Sequence, residues 1–495
     1  MAQRIHFDPY TVLGISRQAK EEEIKRVFRQ TARRFHPDHN KNPGAHLHFL
    51  DVNAAYDAIT SGEALMLLQD TSALPKFNTQ IHVSRLHVPI IPEPQVIYVL
   101  LEIMPTFPES YSLRRNPMNL ALALDCSSSM KGARLNRVKV AARQILEQLT
   151  PNDYIALISY ADKATVEYPS QPAKDVSELR SIINLLRAGG STEIYQGLLA
   201  SYEQVKRNFS RNAVNHIILI TDGRTYGDEE LALALAKEAA ETGIGISAMG
   251  IGDEWNDEFL DALASHTGGA SSYINSPMAV SQFLEDRIMS LGQSFAERLR
   301  LVIAPDSDVK IESVWRLSPH AQPLDFNEQP IPLGTLESRR PMRVLVQLLL
   351  PENMKEDFRP IVRLDVTGDV LLHGERERLV YKVVKEQSID VQKAPPHDEP
   401  PRPIIDALGK LALYRMQEKV EQSVTQGQIV EATRQLQNLA TRLLEMGQEE
   451  LSAMARQEAT RILKTRTLSE EGRKALKYGT RQLLSPPQLL PPRTE

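Results

Sequence analysis

Asp125, Ser127 and Ser129 place one carboxylate and two hydroxyls at alternate positions directly after an apolar run, Leu120 to Leu124. Oxygen donors at that density suit a hard divalent cation, since Mg²⁺ takes six oxygens in near-octahedral geometry and keeps waters or accepts an oxygen from a partner. No thiolate or imidazole belongs to the set, which favours magnesium over zinc. A plainer use exists for DCSSS on its own, because Asp and Ser are preferred caps for a following helix. An aspartyl phosphotransferase needs a second carboxylate two residues on as its acid/base partner, and Ser127 stands there instead. The chain carries no P-loop, no G-x-S-x-G elbow and no H-E-x-x-H, and Glu193 and Asp228 form no recognisable dyad. Binding rather than catalysis is expected.

From Asn119 the chain alternates strand-like and helix-like stretches: ALALD, KGARLNRVKVAARQILEQL, DYIALISYA, ATVEYP, DVSELRSIINLL, EIYQGLLASYEQV, NHIILITDG, EELALALAKEAAET, GISAMGIG and onward to AVSQFLEDRIMSL. Repeated strand-helix units predict a doubly wound, Rossmann-like, mainly parallel sheet. Such a sheet gathers ligand sites beyond the carboxyl ends of its strands, and Asp125 and Asp222 both fall at such ends.

D-x-S-x-S at 125–129, the GGSTEIYQGL segment and ILITDGR occur in the order of the metal-ion-dependent adhesion site of von Willebrand factor type A (VWA) domains, and residues 118–295 resemble that family. The resemblance implies that Ser127, Ser129 and Thr192 ligate a divalent cation, most simply Mg²⁺, directly or through water. It implies that Asp125 and Asp222 supply charge from behind the ligands, and that one position stays open for an Asp or Glu of a protein partner. Cys126 is assigned no role.

The N-terminal residues carry a different pattern. Ile24, Val27, Phe28, Ala32 and Phe35 recur at helical spacing, with Glu21, Glu22 and Glu23 at the start and Arg33 and Arg34 near the end, as the helix dipole prefers. Pro37 ends this helix, and Phe49, Val52, Asn53, Tyr56 and Ile59 mark a second. Lys25, Arg26 and Arg29 alone read as a solvated face. His36, His39, His46 and His48 with Asp38 lack the paired spacing of a metal site. Yet DPYTVLGI, EIKRVFRQTARRF, His36-Pro37-Asp38 and FLDVNAAYDAI in this order resemble the J-domain of DnaJ-type co-chaperones over residues 1–65. The resemblance implies a helical hairpin that docks on a DnaK-class chaperone through Lys25, Arg26 and Arg29 and stimulates its ATPase through His36, Pro37 and Asp38. No Gly/Phe-rich or cysteine-rich region comes after it, and SGEALMLLQD stands where a basic fourth helix is usual.

Alternating, β-branched runs at 74–115 and again at 297–387 predict two sets of strands that complete one β-sandwich around the 118–295 segment. The Pro-rich stretch 388–403 reads as a linker, residues 404–484 as helical hairpins with breaks at Gly427 and Gly447, and 485–495 as a disordered tail. At 495 residues several domains are expected. A net charge of −5 excludes a dedicated nucleic-acid binder. One cysteine, no apolar leader and no run long enough to span a bilayer indicate a reducing, cytoplasmic setting without membrane attachment. The expected function is that of a non-enzymatic adaptor co-chaperone. The alternatives left open are an assembly scaffold with a degenerate J-domain and a metal-dependent hydrolase.

Overall fold

A computed structural model describes residues 5–64, 74–108, 111, 114–225, 227–274, 277–372 and 379–484. The expected tail at 485–495, and most of SGEALMLLQD, lie outside the described residues. The chain forms two compact units, each built from separated segments.

The first unit begins with strand β1 (Ile5–His6) and three helices: α1 (Pro9–Leu13), α2 (Glu21–Phe35) and α3 (Ala45–Thr60). Asp8 caps α1 by accepting from Tyr10 N at 3.0 Å, with Pro9 at the first helical position. Gly14 closes it at φ 73°, a conformation that favours glycine. Helices α2 and α3 pair around Val12, Leu13, Ile24, Val52 and Ala55, and Phe28 stacks on Tyr56 with ring centroids 4.0 Å apart.

The rest of this unit is a β-sandwich. The first apolar-alternating run divides into β2 (Lys76–Val83) and β3 (His87–Pro89), followed by β4 (Gln95–Thr106). The two parts of that run, β2 and β3, lie in different sheets. After the intervening α/β segment come β11 (Ser294–Pro305), β12 (Lys310–Ser318), β13 (Gln322–Pro323), β14 (Ile331–Glu337), β15 (Met342–Leu350), β16 (Asp357–Val370) and β17 (Leu379–Gln392). One sheet runs β13-β12-β15-β4-β2; the other runs β1-β17-β16-β11-β14, with β3 also on β17. Strands from both sides of the insertion therefore share one sheet, with Val346 opposite Val99. Between the sheets lie Ile97, Val99, Leu101, Leu301, Ile303, Val344, Leu348, Leu364 and Val366, each worth on the order of 1.5–3 kcal/mol when fully buried.

Strand β17 continues to Gln392, into the stretch 388–403 expected to be linker, because residues 388–392 pair with β16 or with β3. The Pro-rich residues beyond β17 are tethered too: Asp398 accepts from Leu86 N and His87 N, both at 2.7 Å.

The second unit holds the doubly wound sheet, ordered β10-β9-β8-β5-β6-β7. Its strands are β5 (Met118–Asp125), β6 (Tyr154–Tyr160), β7 (Ala164–Pro172), β8 (Val214–Thr221), β9 (Gly245–Ile251) and β10 (Ser271–Ile274). All pair in parallel except the edge strand β7. Every residue of β5 and β8 is buried, which is why their central parts, Leu120–Leu124 and Ile217–Ile220, read as unbroken apolar runs. Around the sheet lie α4 (Ala133–Gln148), α5 (Ser177–Leu185), α6 (Ile194–Arg207), α7 (Glu229–Thr242), α8 (Asp257–His266) and α9 (Pro277–Gly292). Arg115, placed by the sequence with the first sandwich strands, belongs here, bonded to Asp153.

Four C-terminal helices complete this unit: α10 (Arg402–Thr425), whose first turns belong to the other unit, α11 (Ile429–Glu445), α12 (Glu449–Thr465) and α13 (Glu470–Leu484). Helices α11 and α12 form the expected hairpin around Leu436, Leu439, Ala455 and Ile462. Helix α13 turns instead to the α/β layer, where Arg473 and Lys477 pair with buried Asp257, and Lys477 and Arg481 with Asp261. Burial alone would raise the Asp257 carboxyl, but Arg473 and Lys477 hold it well below the usual carboxylate range.

Candidate functional site

Parallel neighbours β5 and β8 deliver Asp125 and Asp222 to the same, carboxyl-terminal end of the sheet. Asp125 is fully buried; its Oδ1 accepts from Ser127 N at 2.8 Å and its Oδ2 from Thr221 Oγ1 at 2.7 Å. Burial raises its pKa, the bonds from Ser127 and Thr221 counter this, and Asp222 adds repulsion. Ser127 Oγ and Ser129 Oγ lie 2.9 Å apart, and Ser129 Oγ donates to Asp222 Oδ1 at 2.6 Å. Arg134 Nη1 donates to Asp222 Oδ2 at 2.8 Å.

Thr192 reaches the same place on a loop tied to the first by backbone bonds, Gly189 N to Cys126 O at 2.8 Å and Ser128 N to Gly190 O at 3.0 Å. A Cβ at Gly223 would stand 3.1 Å from Thr192 Oγ1 and 3.8 Å from Ser129 Oγ. Glycine there leaves a cradle between the two hydroxyls. Asp125, Ser127, Ser129, Thr192 and Asp222 thus converge. The helix-cap reading does not account for them: Ser127 makes no side-chain cap bond to the short turn Ser128–Met130, and Gly132, not Asp125 or Ser127, precedes α4. The donors are all oxygens, as a hard divalent cation requires. Burial pushes the neighbouring Cys126 thiol up to about 12, so it offers no thiolate at neutral pH. Asp228 accepts from Tyr195 N at 2.8 Å and from Thr225 Oγ1, organising the loops.

At the other candidate site α2 stops at Phe35 because Pro37 forces His36 out of the helix, to φ −60° and ψ 134°. Asp38 N then donates to His36 Nδ1 at 3.2 Å, and His39 N and Asn40 N both donate to His36 O at 2.9 Å. The side chains of His36 and Asp38 remain 40% and 79% exposed. Lys25, Arg26 and Arg29 are exposed on α2, with Lys25 paired to Glu21.

Three family models match separate parts of the chain: DnaJ domain at residues 8–64, von Willebrand factor type A domain at 119–286, and Sll0103-like, C-terminal alpha-helical domain at 402–486. The chain joins a DnaJ domain to a VWA domain. Over 383 residues it is 28% identical to the uncharacterized protein sll0103 of Synechocystis sp., covering 76% of this chain and 90% of that one. Its DnaJ domain is 48% identical over 56 residues to a chaperone protein DnaJ of Synechococcus sp., a match covering 11% of this chain and 14% of the other. Among solved structures, a von Willebrand factor type A protein from Catenulispora acidiphila superposes with a TM-score of 0.65 at 16% identity, covering 84% of this chain and 98% of that one. At that identity the likeness concerns the fold.

The DnaJ domain is docked on the sandwich, which no sequence pattern indicated. Buried His48 on α3 lies 2.8 Å from Asp365 through Nδ1, while Arg363 Nη1 stands 2.9 Å from its Nε2. Arginine only donates, so Nε2 accepts and Nδ1 gives its proton to Asp365. Lys382 pairs with Asp51 and lies 3.9 Å from Asp365. His48, Asp51 and Asp365 are near enough to share an ion, but Lys382 and Arg363 already supply their positive charge. Arg34 pairs with Asp306 and, at 2.7 Å, with Glu386; Asn40 Nδ2 and Asn42 Nδ2 donate to Pro305 O and Asp306 O at 2.9 and 3.0 Å.

Proposed function

We propose that the protein is an adaptor co-chaperone: the DnaJ domain engages a DnaK-class chaperone and stimulates its ATPase, while the VWA domain holds a protein partner through a divalent cation. The observation that carries this reading is that His36 and Asp38 stay exposed although Asn40 and Asn42, a few residues on, are bonded into the sandwich. The loop is anchored on one side and open on the other. Lys25, Arg26 and Arg29 offer an exposed positive face to an acidic partner surface.

In the VWA domain Ser127, Ser129 and Thr192 would hold the cation, with Asp125 and Asp222 behind them; bound there, Mg²⁺ supplies a Lewis-acidic position for a partner's Asp or Glu. Asp125, with both oxygens occupied by internal bonds, supports the role of charge from behind. Among the described residues no helix is long and apolar enough to cross a membrane, and a DnaK-class partner fits a cytoplasmic setting.

The test pairs two variants. His36→Gln should abolish stimulation of a DnaK-class ATPase while leaving the circular dichroism spectrum unchanged, and Asp125→Ala or chelator should release captured partners. Capture without stimulation by the unaltered chain would leave the scaffold reading in its place. Metal-dependent turnover of phosphate or ester substrates would replace both with a hydrolase.

A further inference from the structure

Burial changes abruptly along residues 34–44, where the chain passes from α2 to α3. Phe35 and Asn40 are buried, whereas His36 and Pro37 between them are half-buried and Asp38 and His39 exposed. Phe35 packs with Ala45 and Phe49 against Ala304 of β11. One residue earlier, Arg34 pairs with Asp306. On the far side of the open stretch Asn40 Nδ2 donates to Pro305 O at 2.9 Å, and Asn40 Oδ1 accepts from Asn42 N at 3.1 Å. Asn42 Nδ2 in turn donates to Asp306 O at 3.0 Å and Val309 O at 3.4 Å. Both ends of the loop therefore rest on one short stretch, Ala304 to Val309, which belongs to the sandwich.

The bonds that the loop makes within itself are local: His39 N and Asn40 N to His36 O, and Asp38 N to His36 Nδ1. They shape a single turn and leave its placement to whatever holds its two ends. Pro37 brings no backbone donor to strengthen that turn. A loop that must be ordered at the moment of binding loses conformational entropy then, and anchors already in place remove that cost in advance.

We infer that the end of β11 and the turn after it are a splint for the His36-Pro37-Asp38 loop, with Asn40 and Asn42 as the positioning residues that hold the loop ready for a DnaK-class chaperone. The inference rests on the co-chaperone reading given above. It makes the sandwich a working part of chaperone engagement. The splint acts before binding, and the loop keeps its own three residues when the anchors are cut. Releasing the anchors should therefore raise the concentration of chain needed for stimulation and leave the stimulation reached at saturation in place.

The test uses the full chain with a purified bacterial DnaK and ATP, and reads both the maximal ATPase stimulation and the chain concentration that gives half of it. Asn42→Ala removes the bonds to Asp306 O and Val309 O from a half-buried position. Its half-maximal concentration should rise on the order of tenfold, the equivalent of about 1.4 kcal/mol, with the maximum unchanged. Asn40→Ala, which loses the bond to Pro305 O, should shift it in the same direction. Hydrogen exchange at the His39 and Asn40 amides should quicken in Asn42→Ala, because they report the turn. Asp51→Asn is the control: it breaks the pair with Lys382 about two turns along α3 from Gly44, and should leave the half-maximal concentration where it was. Asparagine variants that saturate at the same concentration as the unaltered chain would overturn the inference with the co-chaperone reading intact. So would an equal rise in Asp51→Asn, or a maximum that falls while the half-maximal concentration holds. Failure of the unaltered chain to stimulate would remove the co-chaperone reading itself, and the splint with it.

Discussion

Asp365→Asn tests whether the DnaJ domain is locked to the sandwich by charge. Asp365 is buried on β16 beside His48, Lys382 and Arg363. Burial alone would raise its pKa, but these neighbours prevail and hold it at about 2 in place of 3.8. A carboxyl depressed by that much contributes about 2 kcal/mol of stability. Because the folded value is the lower one, the contribution is full above pH 3.8 and disappears as pH falls through about 2. The variant never has it, and leaves Lys382 and Arg363 under-compensated, so its deficit at neutral pH should reach about 3–5 kcal/mol. Asp51, whose carboxyl is raised by burial and also by Asp365, acts in the opposite sense, and less so in the variant, where the repulsion from Asp365 is gone.

The assay is urea unfolding followed by Trp315, which is buried on β12 of the sandwich. A Trp255→Phe background removes the second tryptophan, which lies in the other unit. The gap in stability between the unaltered protein and Asp365→Asn should be widest near neutrality and narrow by about 2 kcal/mol on acidification to about pH 2. A gap that does not change with pH would refute the ion-pair account of this interface.

Gly44→Ala should loosen the same interface, because a Cβ there would run into the backbone carbonyl of Ile303, which cannot swing aside. Faster proteolysis of the loop around Asn40 would report it, with a loss of about 1–3 kcal/mol. Lys474 donates to Asp253 O at 2.6 Å and Trp255 O at 2.5 Å, and burial lowers its pKa to about 8 from 10.5. The folded state therefore binds fewer protons between those values, so urea stability read by Trp255 should rise as pH goes from about 8 to 10.5. Lys474→Met should remove that slope.

The meeting of Asp125, Ser127, Ser129 and Asp222 was legible because their spacing is local and strand ends say where they go. Asp125, Ser127 and Ser129 lie within five positions, and Asp222 closes an apolar run that can only be a central strand. Arg134 was not legible: an arginine in the first turn of a helix resembles any solvated charge. Nor were the partners of His48, since Asp365 and Arg363 lie more than 300 residues away with no periodicity to connect them. The dipeptide strand β1 is too short to carry an alternation at all. In α13, Arg473, Lys477 and Arg481 at helical spacing describe an exposed face as well as a buried one, and only Asp257 and Asp261 on α8 decide it.

The surface on which the DnaJ domain rests is made late. A ribosome releases α1 to α3 long before it reaches β16 and β17, and at about 5–20 residues per second that gap lasts on the order of tens of seconds. During translation the newborn helical hairpin carries Arg34 and Asp51 without their counter-charges. Strand β4 likewise waits for β15 until the whole VWA segment has emerged. That segment brings its own ends together, Asn116 N bonding Gly292 O at 3.0 Å, and so splices the two halves of the sandwich once it has folded. A truncated transcript ending before β16 would therefore yield a DnaJ domain bearing unpaired charges where the complete chain has a buried joint.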